Sequence, residues 1–425
     1  MQRIMTVHTK KNPVIPKMGV CDPHIHVFRG RLWLYATHDE TPDAGCFRMR
    51  DWQIWSTEDC LTWRFENTVH PEDFFMGASD RCWAVDCAEK NGTYYYYFSD
   101  GSERTGVAVA ERPGGPFRDA LGKPLLDGAV TPTREYDPSV FKDDDGLYYL
   151  VFGGPAWAYG EGCGYYIARL GDDMISLAET PKKIELDHDG DDKASLNKIN
   201  GRYYLSYGGF YAVSDRVYGP YRFLGHTGST IDHSSFCEWN GQLFQAITVL
   251  DQYGEYRSSG LCYVHVRENG ELVTDPLIVE YGVGQYDADW NRIEAEWFMR
   301  GKNVKKVENA DHFGFSVEAE TEAALAFPHI RNTGNKIGLA LHYDLVGGAA
   351  AVEAREADET GKLLGVFELQ DPSPVFRWQN RRVAWLKFKE RPTETTDLCL
   401  VLKPAPGAAL RLDCFRFFEE KTDNP

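Results

Sequence analysis

Five times the chain carries a dipeptide suited to a tight turn between two apolar strands: Arg29-Gly30, Asn91-Gly92, Asp145-Gly146, Asn200-Gly201 and Asn240-Gly241. Two-residue hairpins need positive φ at both central positions, which Asn-Gly and Asp-Gly supply best. Tyr- or Leu-rich segments flank each turn, as in Leu32-Trp33-Leu34-Tyr35 and Tyr203-Tyr204-Leu205. Hairpins recurring every 40 to 60 residues or so predict a β-propeller, here of five blades. A second repeat agrees with the first: Ala108 to Phe117 and Ala212 to Tyr221 match at identical length and end in Gly115-Pro116-Phe117 and Gly219-Pro220-Tyr221. Helical periodicity is nearly absent, so the expected class is all-β. An acid stands at the head of each first strand: Asp22, Asp86, Asp137, Asp192, and the pair Asp232-His233. Innermost strands of a propeller line one central channel, so these side chains are expected to converge.

At 425 residues the chain is long for one domain. Beyond about Asn291 its texture shifts to alternating apolar residues, from Arg292-Ile293-Glu294 to Leu412-Asp413-Cys414-Phe415. The expected division is a propeller over residues 1–290 and a β-sandwich over 291–425. A formal net charge of -18 disfavours nucleic acid or an anionic membrane surface as partner. Neutral small molecules are the better expectation. Met1 to Pro16 lacks the apolar run of a secretory signal, and ten cysteines without paired zinc spacing suggest reduced thiols in a cytoplasmic protein.

Asp22-Pro23 and Asp137-Pro138 form the same phrase, an acid before a proline that tolerates only a strand's start or edge. Two carboxylates facing across a pocket are the apparatus of glycoside cleavage: one protonates the departing oxygen, and the other activates water or attacks the sugar. A third carboxylate nearby separates their pKa values by like-charge repulsion. His24-x-His26 admits a metal-dependent hydrolase reading instead, but that fold alternates strands with helices and draws further ligands from later strands.

Cys21 to Phe28, Leu32 to Asp39, Trp83-Ala84-Val85-Asp86, Tyr136 to Phe141 before a run of aspartates, and Asn200 to Tyr207 together resemble glycoside hydrolase family 43 over about residues 14 to 285. The resemblance implies a five-bladed propeller and inverting hydrolysis of furanosides or xylosides that requires no metal for catalysis. It makes Asp22 similar to the family's general base and Asp137 to the acid that tunes pKa and orients the sugar. His233 matches a histidine on the channel axis, beside a calcium or a water. His24, Trp83, Asp86 and His233 are the implied substrate contacts, with Phe75 a further candidate wall.

The general acid departs from the pattern. Where the family has Glu, nine positions ahead of Gly201, this chain has Asp192 followed by Lys193. Aspartate is one methylene shorter, and a displacement near 1 Å can cost about 10²-fold. Three readings stay open: Asp192 acts as a shortened acid, Asp191 or Glu185 replaces it, or the propeller binds sugar without cutting it. A paired Lys193 would lower the pKa of Asp192, against the needs of a proton donor.

The last segment resembles carbohydrate-binding module family 6. Glu294, Glu296 and Asp413 match acids that hold a structural calcium there, and Trp378 aligns with a tryptophan that stacks on sugar. The chain is thus expected to be an exo-acting α-L-arabinofuranosidase or β-xylosidase working on oligosaccharides.

Overall fold

A computed structural model of the chain describes residues 5–42, 47–230, 232–250, 256–309, 314–371, 375 and 382–420. The class is all-β. Among the described residues helix is confined to Ala156–Tyr159, Pro276–Tyr281 and two single 3₁₀ turns, and none of these is long and apolar enough to cross a membrane. The chain forms two compact units, one of Met1–Cys237, Phe244–Cys262 and Leu272–Gly282, the other of Glu238–Leu243, Tyr263–Glu271 and Val283–Pro425.

Five antiparallel sheets follow one another through residues 6 to 263. The first orders its strands as Thr6–His8, Thr62–Val69, Met49–Thr57, Arg31–Asp39 and Val20–Phe28. The next three are simple meanders: Cys82–Lys90 through Arg118–Asp119, Ser139–Lys142 through Lys182–Lys183, and Ala194–Ile199 through Arg222–His226. The fifth holds Ser234–Trp239, Gln242–Leu250 and Arg257–Tyr263.

Four of the five expected turns have positive φ at both central residues, 50° to 54° at the first and 75° to 83° at the glycine. Asp145-Gly146 differs. Lys142 pairs with Tyr148 around a longer loop, in which Asp143 N–H donates to Leu147 O and only Gly146 turns left-handed. The reason lies in Asp143, whose carboxylate accepts from Lys198 Nζ at 2.8 Å and Tyr203 OH at 2.7 Å in the next sheet. That commitment draws it out of the turn.

Neighbouring sheets bury their aromatic faces against each other. Trp33, Tyr35 and Trp52 of the first pack with Tyr96 and Phe98 of the second. Tyr97 and Val107 of the second meet Leu150 and Phe152 of the third, and Val151 and Ile167 of the third meet Leu196 and Leu205 of the fourth. Ser234 Oγ donates to Gly208 O beside the fourth. Ser235 Oγ in the fifth donates to Pro23 O and accepts from Ile25 N–H in the first. The N-terminal segment adds a tie: Asn12 Nδ2 donates to Leu261 O and Val279 O, its Oδ1 accepts from Leu261 N–H, and Val14 N–H donates to Ser259 O.

Packing is tight at Gly106, which pairs with Phe98 across the second sheet. A β-carbon there would overlap the Phe98 ring and press on Phe75. Gly106→Ala should therefore cost about 1–3 kcal/mol by overpacking. Denaturant melts check it; an unchanged midpoint would show that both rings yield freely.

The second unit contains two sheets. One runs Lys305–Glu308, Phe315–Ala319, Ala409–Phe418, Gly338–Val346, Arg382–Lys387, with Ile293–Glu294 also paired to Ala409–Phe418. The other runs Arg300–Lys302, Ala323–Arg331, Thr395–Pro404, Gly348–Glu356, Leu363–Asp371. Phe327 of the second sheet meets Phe415 of the first edge to face at 4.8 Å.

Candidate active site

Asp22 and Asp137 share a backbone conformation that few residues adopt. Their φ values are 50° and 53°, although a residue before proline ordinarily stays extended. Left-handed backbone at a non-glycine residue costs of order 1–3 kcal/mol and persists only where its surroundings enforce it. Here Asp22 N–H is held by Thr248 Oγ1 at 3.2 Å and Asp137 N–H by Ser99 Oγ at 2.9 Å, each partner lying in a neighbouring sheet. The kink at Asp22 also breaks pairing between Cys21 and His24. Both carboxylates are thereby turned toward the same place.

That place is His233. Its Nε2 lies 3.9 Å from Asp22 Oδ1, 3.9 Å from Asp137 Oδ2, 3.2 Å from Asp192 Oδ1 and 3.7 Å from Asp232 Oδ1. Acids from residues 22 to 232 of the chain thus surround one imidazole nitrogen. Arg257 completes the group: its Nη1 donates to Asp22 Oδ1 at 2.9 Å while Nε and Nη2 grip Asp39 at 3.1 and 2.9 Å. Thr37 Oγ1 donates to the other Asp22 oxygen at 2.6 Å.

These contacts decide which groups ionise. Burial alone would raise Asp22, but Arg257, His233 and the Thr37 hydroxyl hold it below the usual carboxylate range. Burial would lower His233, yet Asp192 and Asp22 push it up to about 10. Asp192, against the pull of burial, is held down by His233 and by hydrogen bonds that include Asp232. Burial, with Asp192 and Asp22 adding to it, pushes Asp137 up to about 7. Asp232 is pushed up to about 8 by burial and by the acids around it. At neutral pH the cluster therefore holds ionised Asp22 and Asp192 around a protonated His233.

A cavity of about 180 Å3 opens over this group, walled by Trp83, Tyr136, Tyr159, Phe47, Met49 and Ala84. Asp192 reaches its mouth with a side chain 37% exposed, whereas Asp22 and Asp137 lie deeper at 4% and 3%. Trp83 stands edge-on to Tyr136, and Tyr136 OH donates to Tyr159 OH at 2.8 Å.

Several expected contacts lie elsewhere. Asp86 does not head its strand. It sits five residues in, past a bulge between Trp83 and Val85, is fully buried, and accepts from His26 Nε2, Val140 N–H and Cys87 N–H at 2.5 to 2.6 Å. With its lone pairs filled it is held at about 2, burial being outweighed by His24 and His26. His24 lies behind the cavity as well, its Nε2 3.3 Å from Asp86 and its Nδ1 bonded to Lys193 Nζ at 3.1 Å. Neither lines the cavity. His24, His26 and Asp86 satisfy one another, and the lysine ammonium on Nδ1 leaves the Nε2 of His24 protonated and unavailable to a metal. Phe75 packs in the core against Phe98. Asp191 turns its carboxylate toward the backbone of Gly208 and Glu185 is exposed outside the cavity, so Asp192 is the acid that reaches the pocket.

His233 shares two groups of converging ligand atoms, one with Asp22 and Asp232 and one with Asp137 and Asp192, all within 4.8 Å; a calcium there would have to displace the imidazole proton and compete with Arg257 for the carboxylates. The carboxylates cluster at the protonated Nε2, and Arg257 already supplies positive charge to Asp22. Nδ1 is buried and finds no hydrogen-bond partner among the described residues, a setting for a water rather than for an ion that wants several oxygen ligands. In the second unit, Arg292 donates to Glu294 and, at 2.9 Å, to Asp413, so a guanidinium supplies the positive charge there. Glu294, Glu296 and Asp413 are also not among the described groups whose ligand atoms converge within 4.8 Å. Trp378 lies outside the described residues.

Arg257, Phe47 and Tyr159 escape sequence reading because no motif surrounds them. A signal for Arg257 does exist, since an isolated arginine in an apolar strand of an acid-rich pocket must find carboxylates.

Comparison with known proteins matches residues 10–207 to the model of Glycosyl hydrolases family 43. A xylosidase/arabinosidase from Bacteroides ovatus is 28% identical over 63% of this chain and 98% of its own length. A beta-xylosidase from Xylanibacter ruminicola is 30% identical over 55% of this chain and 89% of its own. The solved structure of an arabinoxylan arabinofuranohydrolase from Bacillus subtilis, in complex with cellotetraose, has a TM-score of 0.55 at 20% identity, covering 96% of this chain and 97% of that one. The relatives are matched over most of their length and the family model spans Asp22, Asp137 and Asp192: this chain belongs to glycosyl hydrolases family 43 and is a glycoside hydrolase.

Proposed function

We propose that the protein is an inverting exo-glycosidase that removes terminal arabinofuranosyl or xylosyl residues from oligosaccharides. One observation carries the reading: Asp22, Asp137 and Asp192, from separate sheets, meet around a single nitrogen at the floor of one cavity. The five sheets are taken as blades of a propeller, a reading supported by their serial packing and by the ties between fifth and first. The two sheets of the second unit are taken as a sandwich of carbohydrate-binding-module type. Eight buried free cysteines among the described residues suit a cytoplasmic, reducing setting.

In this mechanism Asp22 draws the proton from a water that attacks the anomeric carbon. Arg257 and Thr37 keep it ionised and aimed. The proton resides on His233, 3.2 Å from Asp192, and Asp192 passes it to the departing oxygen as His233 becomes neutral, so the donor is a pair rather than a lone carboxyl. Asp137, titrating near neutrality, keeps negative charge beside that pair and so favours its protonated state. The Asp22 and Asp192 oxygens, 3.9 and 3.2 Å from one nitrogen, stand at most about 7 Å apart, a limit that admits both the ~5–5.5 Å of retaining pairs and the low end of the ~6.5–9.5 Å of inverting ones, so inversion rests on the family resemblance. A small cavity with aromatic walls suits one terminal sugar ring, as exo action requires.

The expected outcome is release of p-nitrophenol from the α-L-arabinofuranoside or β-D-xyloside, with proton NMR showing the inverted anomer first. Binding of arabinose or xylose oligomers by calorimetry without any hydrolysis would instead establish a sugar-binding protein.

A further inference from the structure

We infer that Lys193 is a positioning residue for this reaction, the buried counter-charge that ties Asp192 to the pocket floor. The inference rests on the glycosidase reading above. Lysine is almost never fully buried unless paired, yet Lys193 is 2% exposed. Its ammonium donates to Val85 O at 2.7 Å and to His24 Nδ1 at 3.1 Å. Val85 lies in the first strand of the second sheet and His24 in that of the first, while Lys193 immediately precedes the first strand of the fourth. One side chain therefore joins three sheets directly behind the acids.

The link to catalysis is local. Lys193 N–H donates to Asp192 Oδ1 at 2.9 Å, and Tyr165 OH holds the Asp192 carbonyl at 2.8 Å from the opposite side. Asp192 is bracketed between a tyrosine and a lysine, and loosening either lets the carboxylate drift. The charge matters as well as the tether. Asp22, Asp137, Asp192 and Asp86 all lie within its field, with His24, His26 and His233 around them. Beyond Arg257 and the protonated His233, Lys193 is the cation that offsets this many carboxylates. Burial acts to strip its proton, and the four acids act to keep it.

Lys193→Gln separates charge from shape, because the amide can still donate to Val85 O. Without the charge, Asp22 and Asp137 bind protons more tightly, so the ascending limb of kcat/KM against pH moves up by about 1 unit. The shorter glutamine gives up His24 Nδ1, so the backbone that carries the Asp192 bond is held less firmly, and a drifting Asp192 costs on the order of 10²-fold with a p-nitrophenyl leaving group. It costs far less with 2,4-dinitrophenyl, which departs without a proton. Lys193→Arg, which keeps the charge, retains the wild-type limb and remains decisive if the glutamine variant does not fold. A limb displaced in Lys193→Arg, or a Lys193→Gln variant with unchanged rates and limbs beside an active wild type, would overturn the inference. A wild type inactive on every aryl glycoside would instead remove the glycosidase reading beneath it.

Discussion

Asp22→Asn should fold normally and lose about 10²–10⁴-fold in kcat, the range for a positioned general base. KM should change little, because the amide fills the same space and still accepts from Thr37 Oγ1, the contact made at 2.6 Å by the carboxylate. Arg257 keeps its two bonds to Asp39, so the pocket wall stays in place. Melting temperature is the control for structure, and turnover on p-nitrophenyl glycosides is the readout. The wild-type pH profile follows from the same contacts. A carboxylate held below its ordinary range stays ionised into acidic solution, so activity should persist there and fall only as pH drops through that depressed value. On the alkaline side activity should fall as the pair with His233 near 10 loses its proton. A kcat within tenfold of wild type in Asp22→Asn would remove Asp22 from the base role.

Asp192→Ala should lose on the order of 10²-fold or more with poor leaving groups and much less with 2,4-dinitrophenyl. The variant also carries a second, independent signature. Asp192 is the largest of the charges that raise His233, so its removal should draw the imidazole toward neutrality and bring the alkaline limb to lower pH. Histidine resonances followed by NMR titration report that shift directly. Equal losses for both leaving groups would mean that Asp192 holds substrate rather than protonating it.

Much of this was legible from residues alone, for a definite reason. Asn-Gly turns and Asp-Pro kinks are local devices whose backbone needs are met by neighbours in sequence, so four turns and two acids could be placed without coordinates. Asp145-Gly146 misled because Asp143 answers to Lys198 and Tyr203, more than fifty residues away. Asp86 misled because a bulge at Trp83 moves it from the strand head into a nest of donors. The position of Asp192 was readable, but its ionisation was not, since that depends on His233 arriving from another sheet. Arg257 was invisible for a related reason: its role is defined wholly by Asp22 and Asp39, over two hundred residues earlier.

The side chain of Asn12 fastens the start of the first unit to Leu261 and Val279 near its end. During synthesis the ribosome releases the base 235 residues before the arginine that steadies it, and the latch cannot engage until both partners have emerged. A chain made only as far as the fourth sheet lacks the arginine that aims its base, and hydrolysis is expected to begin only once the segments around Asn12 and Arg257 have met.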